Sequence, residues 1–255
     1  QLDAGHGVHL VQSNNSAIDH TAAMLDFTEK KLPQLAALSG YIVCAKSPSC
    51  GMERVRLFDA TGQQLGKQGV GLYTRQLMQH YPWLPVEEDG RLFDPELKEN
   101  FICRVFSCYD YQQTMQDGFS VGKLVAFHSR YKFLVMAHSP VAYRELGRLV
   151  ASAKLFSAQE LQQRYLHDLM QALKNIATRK QHTNVLQHLQ GFLKHGLTAV
   201  AKQELSDLIH RYRQGFVPLM APLTLLQHHL KQYPNAYISA QRYFSPYPEN
   251  LGLRA

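Results

Sequence analysis

The stretch Gly40-Tyr41-Ile42-Val43-Cys44 and, one residue on, Lys46-Ser47-Pro48-Ser49-Cys50-Gly51-Met52-Glu53-Arg54-Val55 decides how the N-terminal part of this chain is read. The apolar run reads as a buried strand. Ser47-Pro48-Ser49 ends it, because proline has no amide hydrogen to give a sheet and fixes its own φ. A thiol, Cys50, therefore falls in a turn at the C-terminal end of a strand, and Gly51 lets backbone approach closely. Ligands of open α/β sheets bind at that end. Taken alone, the pattern also fits a plain structural cysteine.

Working outward, Val8-His9-Leu10-Val11 reads as a strand remnant. Residues 17–38 have helical spacing, with Met24, Leu25, Phe27, Leu32, Leu35 and Leu38 on one face. Gly40 is the expected stop. A helix followed by a buried strand suggests part of a parallel α/β unit. Residues 55–58 form a second short strand with a turn at 59–62, and residues 70–80 another helix with Leu72, Leu77 and Met78 inward. Asp94-Pro95-Glu96 is a helix start, an Asp cap with proline at the first position; that helix is expected to reach about Tyr109.

A polar segment, 112–118, marks the expected domain boundary, giving domains 1–115 and 116–255. Beyond it the spacing predicts helices over 122–138, 140–153, 157–176, 181–194, 199–214 and 221–232, with a short one in 235–243. Ser157 and Glu160 suit a capping box, and Gly215 a helix end. Helices joined by short links predict an all-α bundle. The fold class is therefore a partial, Rossmann-like α/β domain with a parallel sheet remnant, followed by a helical bundle.

The chain has 255 residues, 45% of them hydrophobic, enough for packed cores. No apolar run approaches the roughly 18 residues of a membrane span, so no membrane association is expected. Four cysteines are too few for a disulfide scaffold and fit reduced thiols in a cytoplasmic protein. Charge is uneven. Residues 1–115 hold 10 Lys+Arg against 13 Asp+Glu, a net −3, and residues 116–255 hold 17 against 7, a net +10. A basic half beside an acidic half suggests that one domain docks a polyanion. No Gly-rich phosphate loop appears, so no nucleotide cofactor is expected.

Residues 46–55 resemble the third cysteine motif of the bacterial thiouracil desulfidase (TudS-like) domain. Residues from about Gly122 resemble the YbgA-like domain, on Phe127-His128-Ser129-Arg130-Tyr131-Lys132, Met136-Ala137-His138-Ser139-Pro140, residues 178–188, Pro222-Leu223-Thr224-Leu225-Leu226 and Gln241-Arg242-Tyr243-Phe244-Ser245-Pro246-Tyr247-Pro248. The combination is similar to two-domain desulfidases that remove sulfur from 4-thiouridine in tRNA. The resemblance implies a 4Fe–4S cluster held by three thiolates, whose open iron is thiophilic and captures the thiocarbonyl sulfur. Water then attacks the ring carbon and a normal uracil carbonyl results.

In that frame Cys50 is the expected cluster ligand. Ser47 and Ser49 would hydrogen-bond cluster sulfide or substrate, and Glu53 would move protons. Turn chemistry and a surface ion pair are the plainer readings of the same three residues. The family's other two cysteine motifs, a Cys-Leu strand and a Pro-Val-Cys-Pro-Glu segment, have no counterpart here. The chain therefore reads as a fragment expected to bind the cluster weakly or not at all. Cys44 is expected in the core, and Cys103 and Cys108, five apart on one helix, match no family ligand.

The basic half supplies the expected RNA contacts. Arg130, Lys132, Arg144 and Arg148 lie on its first two helices, and Arg179, Lys180 and His182 surround a helix start that Thr178 caps. Cations on phosphate bring affinity with little sequence information, and tRNA is the expected partner. The aromatic and arginine residues of 233–247 suit base stacking or a tail packed back on the bundle. Two further functions stand beside the main one: a binding module without catalysis, and a desulfidase of free thiouracil.

Overall fold

The computed structural model describes residues 2–3 and 7–253. The chain forms two compact units, Gln1–Phe101 and Ile102–Ala255.

The first unit is α/β. Its elements are β1 (Leu2–Asp3), β2 (Val8–His9), β3 (Val11–Gln12), β4 (Asn15–Asp19), α1 (Thr21–Lys31), β5 (Tyr41–Val43), β6 (Val55–Phe58), β7 (Gln64–Gly69), α2 (Leu72–His80) and β8 (Val86–Glu88). A 3-10 turn, Leu32–Leu35, extends α1, and another, Asp89–Phe93, follows β8. β5 and β8 pair in parallel, Tyr41 opposite Val86 and Val43 opposite Glu88. β2, β1, β6 and β7 form a second sheet in that order, parallel only between β1 and β6. β3 and β4 make a separate hairpin. The parallel pairing expected at Tyr41–Cys44 is present, but in a two-stranded pair whose middle residue, Ile42, is exposed.

The helix expected over 17–38 begins later. Asn15–Asp19 is a strand, and Thr21 opens α1 only after Asp19 Oδ1 has accepted the Thr21 amide at 2.7 Å. Leu32 and Leu35 are buried as expected, and Met24 and Leu38 pack at the edge of the same cluster; Leu25 and Phe27 face out. The cluster joins them to Val43, Tyr73, Leu77, Tyr81, Leu84 and Val86. Each such side chain contributes about 1.5–3 kcal/mol relative to exposure. Leu77, with no exposed surface, is at its centre. α1 packs on α2, so this core sits directly behind the loop that carries Cys50.

The second unit is helical. Helix α3 (Pro95–Met115) starts at the expected Asp-Pro signal and runs past Tyr109 to Met115. The division between units falls inside it, between Phe101 and Ile102, whereas the polar segment 112–118 lies at its end. After it come α4 (Val121–His138), α5 (Pro140–Ala151), α6 (Ala158–Lys174), α7 (Arg179–Phe192), α8 (Ala199–Gln214), α9 (Met220–Gln232) and the short α10 (Ala236–Ser239). The expected caps Ser157 and Thr178 accept amides of their helices' first turns, and so do Ser120 and Thr198. Gly215 ends α8 at φ +89°, a conformation glycine adopts without a Cβ clash.

An aromatic cluster organises the second unit's core. Tyr111 meets Phe127 edge-on at 5.2 Å between centroids and stacks on Tyr165 at 5.9 Å, and Phe127 stacks on Tyr131 at 4.1 Å. All four are buried. Such pairs add about 0.5–1.5 kcal/mol beyond the area they bury.

Candidate functional site

Cys50 lies in a loop that the rest of the first unit holds from three sides. Its own hydroxyls come first. Ser47 Oγ accepts the Cys50 amide at 3.2 Å and lies 3.1 Å from Ser49 Oγ, and Ser49 Oγ lies 3.3 Å from Cys50 Sγ. The Gly51 amide closes the turn on the Ser47 carbonyl at 2.8 Å. The two serines are thus turn-formers and neighbours of the thiol at once.

The second support is the start of α2. The amides of Leu72 and Tyr73 donate to the carbonyls of Pro48 and Ser49 at 3.3 and 3.0 Å, and that of Gly71 to Gly51 at 2.8 Å. Thr74 donates its hydroxyl to the Cys50 carbonyl at 2.6 Å. Gly71 permits this: a Cβ there would lie 2.4 Å from the Ser49 carbonyl and 2.6 Å from the Cys50 nitrogen. The loop carbonyls take the place of a ligand on this helix's free amides.

Three consecutive carboxylates, two in β8 and one directly after it, are the third support. Glu88, almost fully buried, accepts the amides of Met52 and Glu53 at 3.1 and 3.2 Å, and its other oxygen lies 3.5 Å from Arg54. Asp89 accepts the Ala45 amide at 3.0 Å. Glu87 accepts Arg91 Nε at 2.6 Å, and the same guanidinium reaches Glu53 at 2.8 Å. Since β8 is the parallel neighbour of β5, its end lies beside the end of β5, and the carboxylates grip both sides of the loop. This support escaped the sequence reading; the signal was there, in a run of acidic residues directly after the apolar Leu84-Pro85-Val86.

At both ends of the loop stand residues with positive φ, Lys46 at 62° and Arg54 at 57°. They are the two non-glycine residues with positive φ among those described. Side chains resist this region by roughly 1–2 kcal/mol per residue.

Cys50 is part-buried, at the rim of the core cluster. Tyr73 is buried in the same cluster. Its phenol lies 3.1 Å from that of Tyr41, and burial, then the Tyr41 hydroxyl, raise it well above the ordinary phenol range. Glu53 is bound between Arg91 and Arg54, the surface ion pair that was its plainer reading. Cys44, expected in the core, is exposed, because β5 ends at Val43 and the following residues turn outward.

Cys103 and Cys108 are buried in the second unit, and burial alone pushes the Cys108 thiol up to about 12, leaving it protonated at neutral pH. Among the described residues no group of three or more His, Cys, Asp or Glu is placed to hold a metal ion. One cysteine sulfur, that of Cys50, lies in the loop, and a cubane with one open iron needs three. These residues therefore do not by themselves fit a 4Fe–4S cluster; Cys50 is the residue that would contribute to one.

The cations expected to bind RNA divide into two sets. Arg130 is turned inward, 3.5 Å from Asp110, which also accepts Arg242 Nε at 3.0 Å and the Tyr131 hydroxyl at 2.9 Å. Arg179 donates to the Tyr212 carbonyl near the end of α8 at 2.8 Å and lies over the Tyr212 ring at 4.9 Å. His182 Nδ1 is 2.9 Å from the Tyr243 hydroxyl. Lys132 lies over the Tyr143 ring at 6.0 Å. Arg144, Arg148 and Lys180 are exposed.

The tail packs back on the bundle. Gln241, Tyr243 and Tyr247 are buried, and the Arg242 amide donates to the Arg130 carbonyl at 2.9 Å. His128 is buried against the Tyr165 hydroxyl at 3.0 Å, and burial, then the Lys132 charge, lower it to about 4. No described helix is long and apolar enough to cross a membrane.

Comparison with known proteins follows the two halves. Residues 2–89 match the family model described as 2-thiouracil desulfurase, a span that ends on Asp89, the last of the three carboxylates. Residues 132–248 match the model described as a protein of unknown function (DUF1722). Over 157 residues the chain is 34% identical to the uncharacterized protein YbgA of Escherichia coli (strain K12), covering 61% of this chain and 93% of that protein. No solved structure matches.

Proposed function

We propose, on the premise that this chain belongs to the YbgA-like family and carries a 2-thiouracil desulfurase domain ahead of it, that it takes sulfur from thiolated uracil, with 4-thiouridine in tRNA as the substrate. The observation that carries the reading is the Cys50 loop: a part-exposed thiol with a serine hydroxyl 3.3 Å from its sulfur, fixed at the start of α2 inside the region matched to the desulfurase model.

The net reaction is a hydrolysis. The thiocarbonyl carbon takes the oxygen of water, the carbon–sulfur bond breaks, and sulfur leaves as hydrogen sulfide, with no change of oxidation state. This chain's residues act around that exchange. The Cys50 sulfur, with the Ser49 hydroxyl beside it, is a soft donor suited to soft metals and to sulfur. Ser47 and Ser49 offer hydroxyls to an anionic sulfur beside Cys50. The second unit supports the tRNA reading through its net charge of +10 over residues 116–255 and its exposed Arg144, Arg148 and Lys180.

The test is sulfide release. A protein that also carries the family's other two cysteine motifs, purified without oxygen and reconstituted with iron and sulfide, should release sulfide from tRNA containing 4-thiouridine, leaving uridine. If a robust cluster forms and no thiolated base yields sulfide, the protein is a binding module. A second reading is favoured by the printed description of the matching model, 2-thiouracil desulfurase: turnover of free thiouracil with no affinity for tRNA would establish it.

A further inference from the structure

The aromatic residues of 233–247 part company in the structure. Tyr243 and Tyr247 are buried in the bundle, whereas Tyr233 is 40% exposed and Tyr237 half-buried. Phe192, the last residue of α7, joins them at the surface and is 46% exposed. It is there because α7 turns Val185, Leu186 and Leu189 to the core, and α10 turns Ile238 inward, which leaves Phe192 and Tyr237 on the flanks. The Phe192 ring is braced. It stands edge-on to the buried Phe133 of α4 at 6.1 Å between centroids and meets Tyr237 at 5.8 Å, and Phe133 meets Tyr237 at 6.4 Å. Tyr233 is seated against Gly196, four residues beyond Phe192: a Cβ there would lie 2.8 Å from two carbons of its ring.

The charge around these rings has one sign. Residues 169–203 and 208–248, which include α7, α9 and α10, contain no Asp or Glu and nine Lys and Arg. Helix α4 has no acid either. Lys194 and His195, directly after Phe192, and Lys231, ahead of Tyr233, are exposed and take part in no ion pair among the described residues. A surface of this kind attracts a polyanion. The exposed rings add a second demand, since they gain most from a partner with flat faces of its own. Unpaired nucleotides meet both demands, because each carries a phosphate and an open base face. A duplex meets the first alone, its base faces being stacked on one another.

We propose that Phe192 and Tyr237 form a stacking platform for unpaired nucleotides of an RNA, with Lys194 and Lys231 as contacts to the phosphates beside them. The inference rests on the tRNA reading of the second unit. It adds a preference to that reading: the helical unit takes hold of a single-stranded part of the RNA through ring faces, besides meeting its backbone through charge.

Fluorescence anisotropy tests it with the whole chain and two labelled RNAs that carry no sulfur, an oligouridylate and a blunt duplex. A Phe192→Leu, Tyr237→Leu variant keeps apolar bulk and loses the flat faces. It should bind the oligouridylate about tenfold less tightly than the parent. Its duplex affinity and its slope against salt should be unchanged, because no charge has been removed. Phe192→Trp should keep the parent's affinity. Its emission, read against the parent with Trp83 alone, should be quenched as the oligouridylate binds, and this is the readout should the leucine variant not fold. Unmoved oligouridylate affinity, an equal loss for oligouridylate and duplex, or an absence of quenching would overturn the proposal. So would a parent that sediments as a dimer and a leucine variant that sediments as a monomer with RNA affinity unmoved, which would give the patch to a second copy of the chain. A parent that binds neither RNA sinks the tRNA reading and the platform with it. A parent that binds both, with the leucine variant unaltered, sinks the platform alone.

Discussion

Replacing Gly71 with alanine probes the hold of α2 on the Cys50 loop without touching the thiol. Gly71 has φ −58° and ψ 139°, values any residue adopts, so the substitution introduces no backbone strain and the whole effect is steric. The new methyl would lie 2.4 Å from both the Ser49 carbonyl carbon and its oxygen. Backbone atoms cannot swing aside as a lysine tip can, so loop and helix must separate by roughly 1 Å to reach ordinary contact distance. The hydrogen bonds across this seam span 2.8 Å for Gly71, 3.3 Å for Leu72 and 3.0 Å for Tyr73. A shift of that size takes them past hydrogen-bonding range, and at about 0.5–1.5 kcal/mol each the loss is of order 2–4 kcal/mol. Urea denaturation should show this as a lower midpoint at unchanged slope. The rate at which a thiol reagent modifies Cys50 should rise, because Ser49 no longer sits over the sulfur. Gly147→Ala in α5 is the control: nothing lies within 4 Å of its Cβ position, and alanine should stabilise by about 0.5–1 kcal/mol. A Gly71→Ala protein within about 0.5 kcal/mol of the parent, with Cys50 no more reactive, would refute the account of the loop as a part clamped to the helix.

In a protein that also carries the family's other two cysteine motifs, Cys50→Ala should remove the visible absorption gained on reconstitution with iron and sulfide, and an unchanged spectrum would dismiss Cys50 as a ligand. Arg179→Ala should cost about 1 kcal/mol in thermal or chemical denaturation through its carbonyl bond and its ring contact, whereas Lys180→Ala, exposed at the same helix start, should leave stability unchanged and weaken tRNA binding with a flatter salt dependence. His128 is held at about 4 against an unfolded value near 6.5. The unfolded chain therefore binds the proton first: the stability this neutral histidine confers is whole above about pH 6.5 and drains away as pH falls toward 4, by up to about 3 kcal/mol. His128→Gln should flatten the stability–pH curve in that window, and a curve of unchanged shape would show that the ring does not titrate as described.

The helical unit was readable because its signals are local. Ser157, Thr178 and Gly215 mark helix ends through chemistry within a few residues, and the structure has helices bounded at each. The first unit was harder. β7, Gln-Leu-Gly-Lys-Gln-Gly, has no alternation of apolar residues and is a strand because β6 pairs with it. β8 is three residues long and two are buried glutamates, a composition that argues against a strand until the amides of Met52 and Glu53 are seen across from it. The helix begun too early, at 17 instead of 21, failed because Asn15–Asp19 pairs with β3, a partner no periodicity reports. At the site, the Cys50 turn and its serines were legible from Pro48 and Gly51. The partners of Arg130 and Arg179 were not: Asp110 lies 20 residues from the first, and Tyr212 lies 33 from the second. A basic residue in a sequence does not announce which neighbour has already claimed it.

The two left-handed corners at Lys46 and Arg54 have a consequence for recognition. Together with the amides lodged on Glu88 and the carbonyls lodged on α2, they set the outline of the Cys50 loop when the chain folds, before any guest arrives. A guest therefore meets a finished mould and has little chain entropy to overcome on entry. Selectivity in such a mould comes from fit, so a guest of the wrong shape would be refused at the door instead of being accommodated by a loop that bends to receive it.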